Sequence, residues 1–310
     1  MRKLPRVTVV IAYDGSDGAA DAVRAAGRLF PGATAVVLCV RGETVFAFHG
    51  AAARIAVPDS VIAAAAEEQE LAADARGLAV AERGVKLAAS AGLDARAEVR
   101  SGASAWRPVA AFAEETDAAV VVCGSRGQGA VSRAVLGSTS TSLLHHAGRP
   151  VLVVPDGGLV GDGPALAGYD GSEGARAAID VVAALLPSRE VVVAHAWESP
   201  LGIYPALELG PVVREGDLGL ALEREVAAMA DEVAAEGAEL ARSAGLASVR
   251  GVAVRAEEGI WRTLASAAAD ADAAVVVAGR RGRGALAAAV LGSVSAGLAH
   301  NAERPILVAG

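Results

Sequence analysis

Two stretches of the chain carry glycines at the same long spacing, and each ends in a Gly–Ser pair. The first, GSRGQGAVSRAVLGS, runs from Gly124 to Ser138, and the second, GRRGRGALAAAVLGS, runs from Gly279 to Ser293. Glycine has no Cβ, so backbone N–H groups can approach an anion closely, and the residue can reach positive φ. A helix that begins after the last glycine would add the positive end of its dipole. We name these stretches the first and second glycine loops, and they predict two phosphate-binding sites.

Other phosphate-binding motifs fit the glycine loops poorly. The P-loop motif places a lysine after its last glycine, and no lysine follows either loop. The dinucleotide motif G-x-G-x-x-G follows a first strand, whereas these loops read G-x-x-G-x-G and follow a later apolar run. A tight turn without a ligand would explain one loop, but two loops of equal spacing favour a shared binding role. Arg126 and Arg281 could neutralise phosphate or be solvated loop side chains, and the sequence leaves both interpretations open.

Two aspartates follow the first predicted strand of each half. Asp14 and Asp170 both lie in the sequence YDGS. A carboxylate at a strand end can accept hydrogen bonds from sugar hydroxyls or hold a hydrated Mg²⁺ ion. The alternative is a structural role in an Asx turn or as a helix N-cap. Both roles can coexist, because Ser16 or Asp17 could cap the following helix instead.

The order of rare residues indicates that the chain is an internal duplication. YDGS at residues 13–16 recurs at 169–172, Trp106 recurs as Trp261, and both halves end in a similar strand that follows an Arg–Pro pair. Between the two copies lies DGGLVGDGP, which has the Gly, Asp and Pro content of a linker. The predicted units are two domains and a linker: residues 1–155, 156–164 and 165–310.

Within each half, strand and helix signals alternate along the chain. Apolar β-branched runs such as VTVVIAY and TAVVLCV are typical of strands buried on both faces. Helical spacing of apolar residues covers segments 17–30 and 60–91, and further helices are predicted at 105–115 and 137–146. The order is β-α-β-α-β-α-β-α-β. This alternation predicts an α/β fold in which a mainly parallel sheet is covered by helices on both faces.

Composition and charge exclude several classes of function. The chain has 310 residues, of which 53% are hydrophobic, enough for two cores. A net charge of −8 argues against binding nucleic acid, which relies on clustered cations. No apolar stretch approaches the roughly 20 residues that span a membrane, so no membrane partner is expected. The N-terminal apolar run is only about seven residues long and lacks a cleavage site, so we expect a cytoplasmic protein.

The two glycine loops match the motif G-2x-G-9x-G-[ST], through Gly124, Gly127, Gly137 and Ser138 in the first half. In this motif and in its tandem halves, the chain resembles the nucleotide-binding universal stress proteins over nearly its whole length. The resemblance implies a five-stranded sheet of order 3-2-1-4-5 in each half, and pairing of the halves through their last strands. It also implies ATP at the strand ends, with Mg²⁺ as a candidate companion ion, and it leaves open whether two chains associate.

The binding residues expected from this resemblance and from the loops fall into two equivalent sets. In the family, the residue that ends the second strand contacts adenine through its backbone, which implies Val40 and Ala196. The first set is Asp14, Val40, Gly124, Arg126, Gly127, Gly129, Gly137, Ser138 and Thr139. The second set is Asp170, Ala196, Gly279, Arg281, Gly282, Gly284, Gly292, Ser293 and Val294.

The remaining candidates for chemistry are predicted to have structural roles. Cys39 and Cys123 would lie on strands that flank the first strand, too far apart for a disulfide. His145 and His146 would lie in the last turn of a helix, where positive charge suits the dipole. His195 would line the crevice, since no Cys or His stands at metal-binding spacing from it.

The sequence predicts a nucleotide-dependent stress-response regulator that is either non-catalytic or a very slow ATPase. No general base, Walker-type lysine or paired carboxylates accompany the glycine loops. Two alternatives stay open. One is a transferase or hydrolase with a further substrate pocket under residues 43–58, which include Phe46, Phe48 and His49. The other is an interaction scaffold that binds no nucleotide.

Overall fold

The computed structural model describes residues 7–43, 59–127, 136–158, 160–199, 217–282, 291–301 and 303–310. Within these ranges, strands and helices alternate as predicted. The strands are β1 Thr8–Ala12, β2 Thr34–Arg41, β3 Asp94–Ser101, β4 Val120–Gly124, β5 Val151–Val154, β6 Ala165–Gly168, β7 Val191–Glu198, β8 Val249–Ala256, β9 Val275–Gly279 and β10 Ile306–Ala309. The helices are α1 Asp17–Leu29, α2 Asp59–Ser90, α3 Trp106–Glu115, α4 Ser138–His146, α5 Glu173–Leu185, α6 Asp217–Ser243, α7 Ile260–Asp270 and α8 Ser293–Asn301.

All ten strands form one sheet, in the order β3-β2-β1-β4-β5-β10-β9-β6-β7-β8. Neighbouring strands within each half are parallel. The predicted order 3-2-1-4-5 is therefore confirmed in both halves, with the second half running in reverse across the sheet. In the first half the chain winds outward from β1 to β3 and then returns to the other side of β1 as β4. This change of direction places a crevice at the carboxyl ends of β1 and β4.

The two halves are joined by antiparallel pairing of their last strands, as the resemblance implied. Leu152 of β5 lies opposite Leu307 of β10. Both leucines are fully buried, and both belong to a core cluster that also contains Ala26 of α1 and Ile179 of α5. The apolar core is therefore continuous across the junction. Pairing also covers two strand edges that would otherwise be open to intermolecular association.

We expect the amides of β5 and β10 to be among the slowest to exchange with solvent. Their hydrogen bonds lie at the centre of a ten-stranded sheet, so they open only when the halves separate or the chain unfolds. Native-state hydrogen exchange with peptides that cover residues 150–155 and 304–310 measures this directly. The edge strand β3 supplies the internal comparison. Exchange at the junction as fast as at β3 would contradict the pairing.

The tertiary structure also explains the alanine-rich composition, because the helices lie very close to the sheet and to each other. Ala22 and Ala26 of α1 are fully buried, and a Cβ on Gly27 would lie 2.3 Å from the carbonyl oxygen of Ala91.

Strand β6 has the sequence ALAG, without a β-branched residue, yet it pairs with β7 and β9. Its neighbouring strands β7 and β9 are rich in β-branched residues and hold it extended, so tertiary context outweighs its weak strand propensity.

Among the described helices, none combines the length and the apolar character that spanning a membrane requires.

Candidate functional site

A cavity of about 330 Å³ opens at the carboxyl ends of β1, β2 and β4 in the first half. Its walls come from three strand ends, the N-terminal parts of α1 and α4, and the start of α3. Its size falls in the range of about 300–1,000 Å³ that is usual for small-molecule sites. The described lining residues are Ala12, Tyr13, Asp14, Ala19, Leu38, Val40, Ala105, Val109, Cys123, Gly124, Arg126, Gly127, Gly137, Ser138, Thr139 and Ser140.

Every residue of the first predicted set that the structure describes lines this cavity. Gly129 lies outside the described residues, as does Gly284 of the second set. The sequence reasoning missed several apolar lining residues, including Leu38, Val109 and Cys123. Leu38 lies two residues before Val40, so the strand period of two could have identified it once Val40 was chosen. Val109 lies on α3, which only the tertiary fold brings to the site.

Asp14 has the structural role and also faces the first glycine loop. Its Oδ1 accepts a hydrogen bond from the Ser16 amide at 2.9 Å, while Ser16 Oγ caps α1 by accepting from the Ala19 amide at 3.2 Å. Its Oδ2 points toward the loop, because a Cβ on Gly127 would lie 2.7 Å from that oxygen. The Asx turn thus holds the carboxylate at the mouth of the cavity.

The second half repeats this arrangement closely. Asp170 Oδ1 accepts from the Ser172 amide at 3.0 Å, and a Cβ on Gly282 would lie 2.8 Å from Asp170 Oδ2. Gly292 N–H donates to the Arg280 carbonyl at 2.8 Å. Since matching contacts recur at matching positions, the described ends of the two glycine loops share one geometry.

The ends of the first glycine loop are joined by hydrogen bonds. Gly137 N–H donates to the carbonyl of Ser125 at 2.8 Å, and Ser140 Oγ donates to the same carbonyl at 3.0 Å. Helix α4 therefore begins beside the end of β4. Gly137 is its N-cap and supplies no side-chain hydrogen bond, in contrast to Ser16 of α1. The first-turn residues Ser138 and Thr139 line the cavity, at a helix N terminus where the N-cap residue makes no side-chain hydrogen bond.

The loop glycines permit close contacts, and the expectation of positive φ is wrong for those that the structure describes. Gly124, Gly127, Gly137, Gly279, Gly282 and Gly292 are absent from the residues with positive φ. A Cβ on Gly124 would lie 2.7 Å from the backbone of Gly18, and one on Gly279 would lie 2.3 Å from that of Gly174. These two glycines let the first turn of a helix pack directly on a strand end. Gly127 and Gly282 instead face a carboxylate.

The Arg126 side chain is largely buried, and it contacts the linker as well as lining the cavity. Its side chain is 13% exposed and forms an ion pair with Asp156, the first residue of the linker. Of the two interpretations left open by the sequence, the solvated one is therefore wrong for Arg126. In the second half, Arg281 occupies the matching position and Arg280 replaces Ser125. The Nε atoms of Arg280 and Arg281 are buried without a hydrogen-bond partner.

The other residues of the second set lie at the positions that the duplication predicts. Ser293 begins α8, as Ser138 begins α4. Ala196 of β7 and Val294 of α8 pack, partly buried, against a core cluster that spans both halves. Val294 stands where the first half has Thr139, so this position offers an apolar side chain instead of a hydroxyl group.

The described residues offer little for metal binding from side chains alone. They contain no group of three or more His, Cys, Asp or Glu side chains that could hold a metal ion. The ring Nδ1 of His195 lies 2.7 Å from the carbonyl oxygen of Tyr169. Because that oxygen can only accept, Nδ1 must carry the hydrogen in this contact. His195 therefore has a defined partner within the fold.

Both cysteines are free and buried, as predicted. Burial raises the pKa of the Cys123 thiol to about 12, so the thiol stays protonated at neutral pH. In a Cys39→Ser variant, we expect the remaining Cys123 thiol to react far more slowly with a disulfide reagent than it does after denaturation. Absorbance of the released thiolate measures both rates. Native reactivity equal to that of a small free thiol would contradict this burial.

The model of the universal stress protein family matches this chain twice, at residues 6–155 and 163–310. A universal stress protein of Mycobacterium tuberculosis is 33% identical over 242 residues, which cover 75% of this chain and 76% of the relative. One of Mycolicibacterium smegmatis is 34% identical over 223 residues, which cover 70% and 69%. The crystal structure of a universal stress protein from Archaeoglobus fulgidus aligns over 97% of both chains, with a TM-score of 0.54 and 18% identity, and shows the same fold.

Proposed function

This chain belongs to the universal stress protein family, and from that premise we propose that each half binds one ATP molecule. The bound nucleotide would make the protein a regulator of the stress response rather than a turnover enzyme. One observation carries the proposal. The first cavity combines a helix N terminus that lacks a side-chain cap with a glycine loop whose Cβ-free positions leave room for a polyanion.

The lining residues suggest how the parts of ATP would be held. The N–H groups of Gly127, Ser138 and Thr139 would donate to the phosphates, and Arg126 would add positive charge. The Asp14 carboxylate would accept hydrogen bonds from ribose hydroxyls. The backbone at Val40 would meet the adenine.

Binding of a companion Mg²⁺ ion would require the bound nucleotide. No cluster of three or more acidic, His or Cys side chains is present in the described ranges, so the ion would take most ligands from phosphate oxygens and water. Mg²⁺ commonly binds with only one or two carboxylates plus substrate phosphates. Asp14 in the first half and Asp170 in the second are the carboxylates placed to contribute.

The composition of the first cavity supports slow or absent turnover. Among its described lining residues, Asp14 is the only carboxylate, and none is histidine or lysine. One oxygen of Asp14 already accepts a hydrogen bond from the Ser16 amide. A hydrolase needs a group that orients or deprotonates the attacking water. These lining residues supply no dedicated group of that kind.

The proposal is tested by denaturing the purified protein and identifying any released nucleotide by chromatography. Calorimetry on nucleotide-free protein then gives the stoichiometry, which should be two ATP molecules per chain. ATP should be consumed with Mg²⁺ at far below about 1 per second, the low end of ordinary enzymes. Multiple turnovers at an ordinary rate would contradict the non-catalytic function. Failure to bind ATP at all would contradict the proposal and favour a scaffold.

A further inference from the structure

The linker between the halves begins with a tight turn that is fastened to the first half. Gly158 N–H donates to the Pro155 carbonyl at 2.9 Å, and Gly157 has a φ of +67°. A positive φ at the third residue of a turn requires glycine or asparagine. Gly157 N–H also donates to Asp21 Oδ2 of α1 at 2.8 Å. The turn therefore holds Asp156 in a fixed place beside the first glycine loop.

Asp156 contacts the part of that loop that lines the cavity. Its carboxylate forms an ion pair with Arg126, and its Oδ1 accepts from Ser125 Oγ at 3.4 Å. A Cβ on Gly18 would lie 2.9 Å from the same Oδ1. The absence of a side chain at Gly18 thus leaves the space that the carboxylate occupies. Arg126 faces both this carboxylate and the cavity.

The second glycine loop carries more positive charge in its sequence, with three arginines against two in the first. It has Arg280 and Arg281 in sequence, and in the described part of the chain neither forms an ion pair with a carboxylate. Burial, and then the charge of Arg281, lower the pKa of Arg280. Two close guanidinium groups without a counter-ion would be stabilised by an anion.

We propose that Asp156 makes the first ATP site the weaker of the two, because its carboxylate competes with the phosphates for Arg126. This inference rests on the proposed function. A phosphate that approaches the first loop must displace or share the Arg126–Asp156 pair, and it is also repelled by the carboxylate. At the second loop, a phosphate would meet Arg281, which forms no ion pair with a carboxylate among the described residues. The linker thus lowers the ATP affinity of the first site and does not affect that of the second.

Calorimetric titration of the nucleotide-free full-length chain with ATP tests this inference. The unmodified protein should show a tight and a weak class of site, and Gly127→Val should remove the weak class. Asp156→Asn should tighten the weak class about fivefold, the upper value for a partly exposed ion pair. The tight class should not change. The effect should appear with inorganic triphosphate as well, but not with adenosine, because Arg126 is expected to meet only the phosphates.

Asp162→Asn is the matched control, since it removes the same charge from the same linker. Asp162 interacts with Arg189, away from the first loop, so neither class should change. An unchanged weak class in Asp156→Asn, or an equal gain with adenosine, would overturn the inference and leave the proposed function standing. Absence of ATP binding in the unmodified chain would overturn both.

Discussion

Replacing Gly127 with valine should abolish ATP binding at the first site and leave the fold intact. A Cβ at this position would lie 2.7 Å from Asp14 Oδ2, so the side chain must push the carboxylate from its place at the cavity mouth. The loop N–H groups would then be kept from the phosphates. Loss of hydrogen bonds to a charged group costs roughly 1.5–3 kcal/mol, and we expect affinity to fall by about 100-fold. Calorimetry should show one ATP per chain instead of two.

The equivalent change in the second half, Gly282→Val, should remove the other site, and the double variant should bind no ATP. The fold should survive because Gly127 and Gly282 are both exposed and face a side-chain oxygen rather than backbone. Gly161→Val is the control, since a Cβ there would have no neighbour closer than 3.9 Å. Unchanged stoichiometry in the double variant would refute the phosphate-binding role of the loops.

Gly279→Ala should have a different consequence, although Gly279 belongs to the same motif. A Cβ here would lie 2.3 Å from the carbonyl carbon and oxygen of Gly174. Backbone cannot rotate away as a side chain can, so α5 must move from the end of β9. Overpacking of this kind typically costs about 1–3 kcal/mol. We expect a lower midpoint in urea unfolding monitored by circular dichroism.

The corresponding change in the first half, Gly124→Ala, should act in the same direction but less strongly, because its Cβ would lie 2.7 Å from Gly18. Gly42→Ala serves as the reference, since no atom of the other described residues beyond its chain neighbours lies within 4 Å of its Cβ position. If Gly279→Ala unfolded at the same urea concentration as Gly42→Ala, close helix-on-strand packing would not be the role of this glycine. The motif thus contains two glycines that pack a helix on a strand end, and two to which we assign phosphate binding.

Much of the site was predictable because its parts lie at the ends of elements with clear local signals. Asp14 and Gly124 follow apolar β-branched runs, and parallel strands bring their carboxyl ends to one edge. Val109 and Ala105 of the cavity wall were not predicted, because a helix gives no sequence signal of which strand end it will approach. Gly127 lines the cavity, but its φ is not positive, so of the two reasons given for a glycine here only the absence of a Cβ applies.

The sequence alone determined the duplication, the α/β class and the position of the two glycine loops, because spacing and periodicity are local properties of the chain. Only the tertiary structure decided which contacts those loops make. The ion pair of Arg126 with Asp156 joins a loop to a linker 30 residues away in sequence (126 to 156). The contact of Gly124 with Gly18 joins a strand end to a distant helix. Such pairs are set by how the elements pack, and packing distances leave no periodic signal in a single sequence.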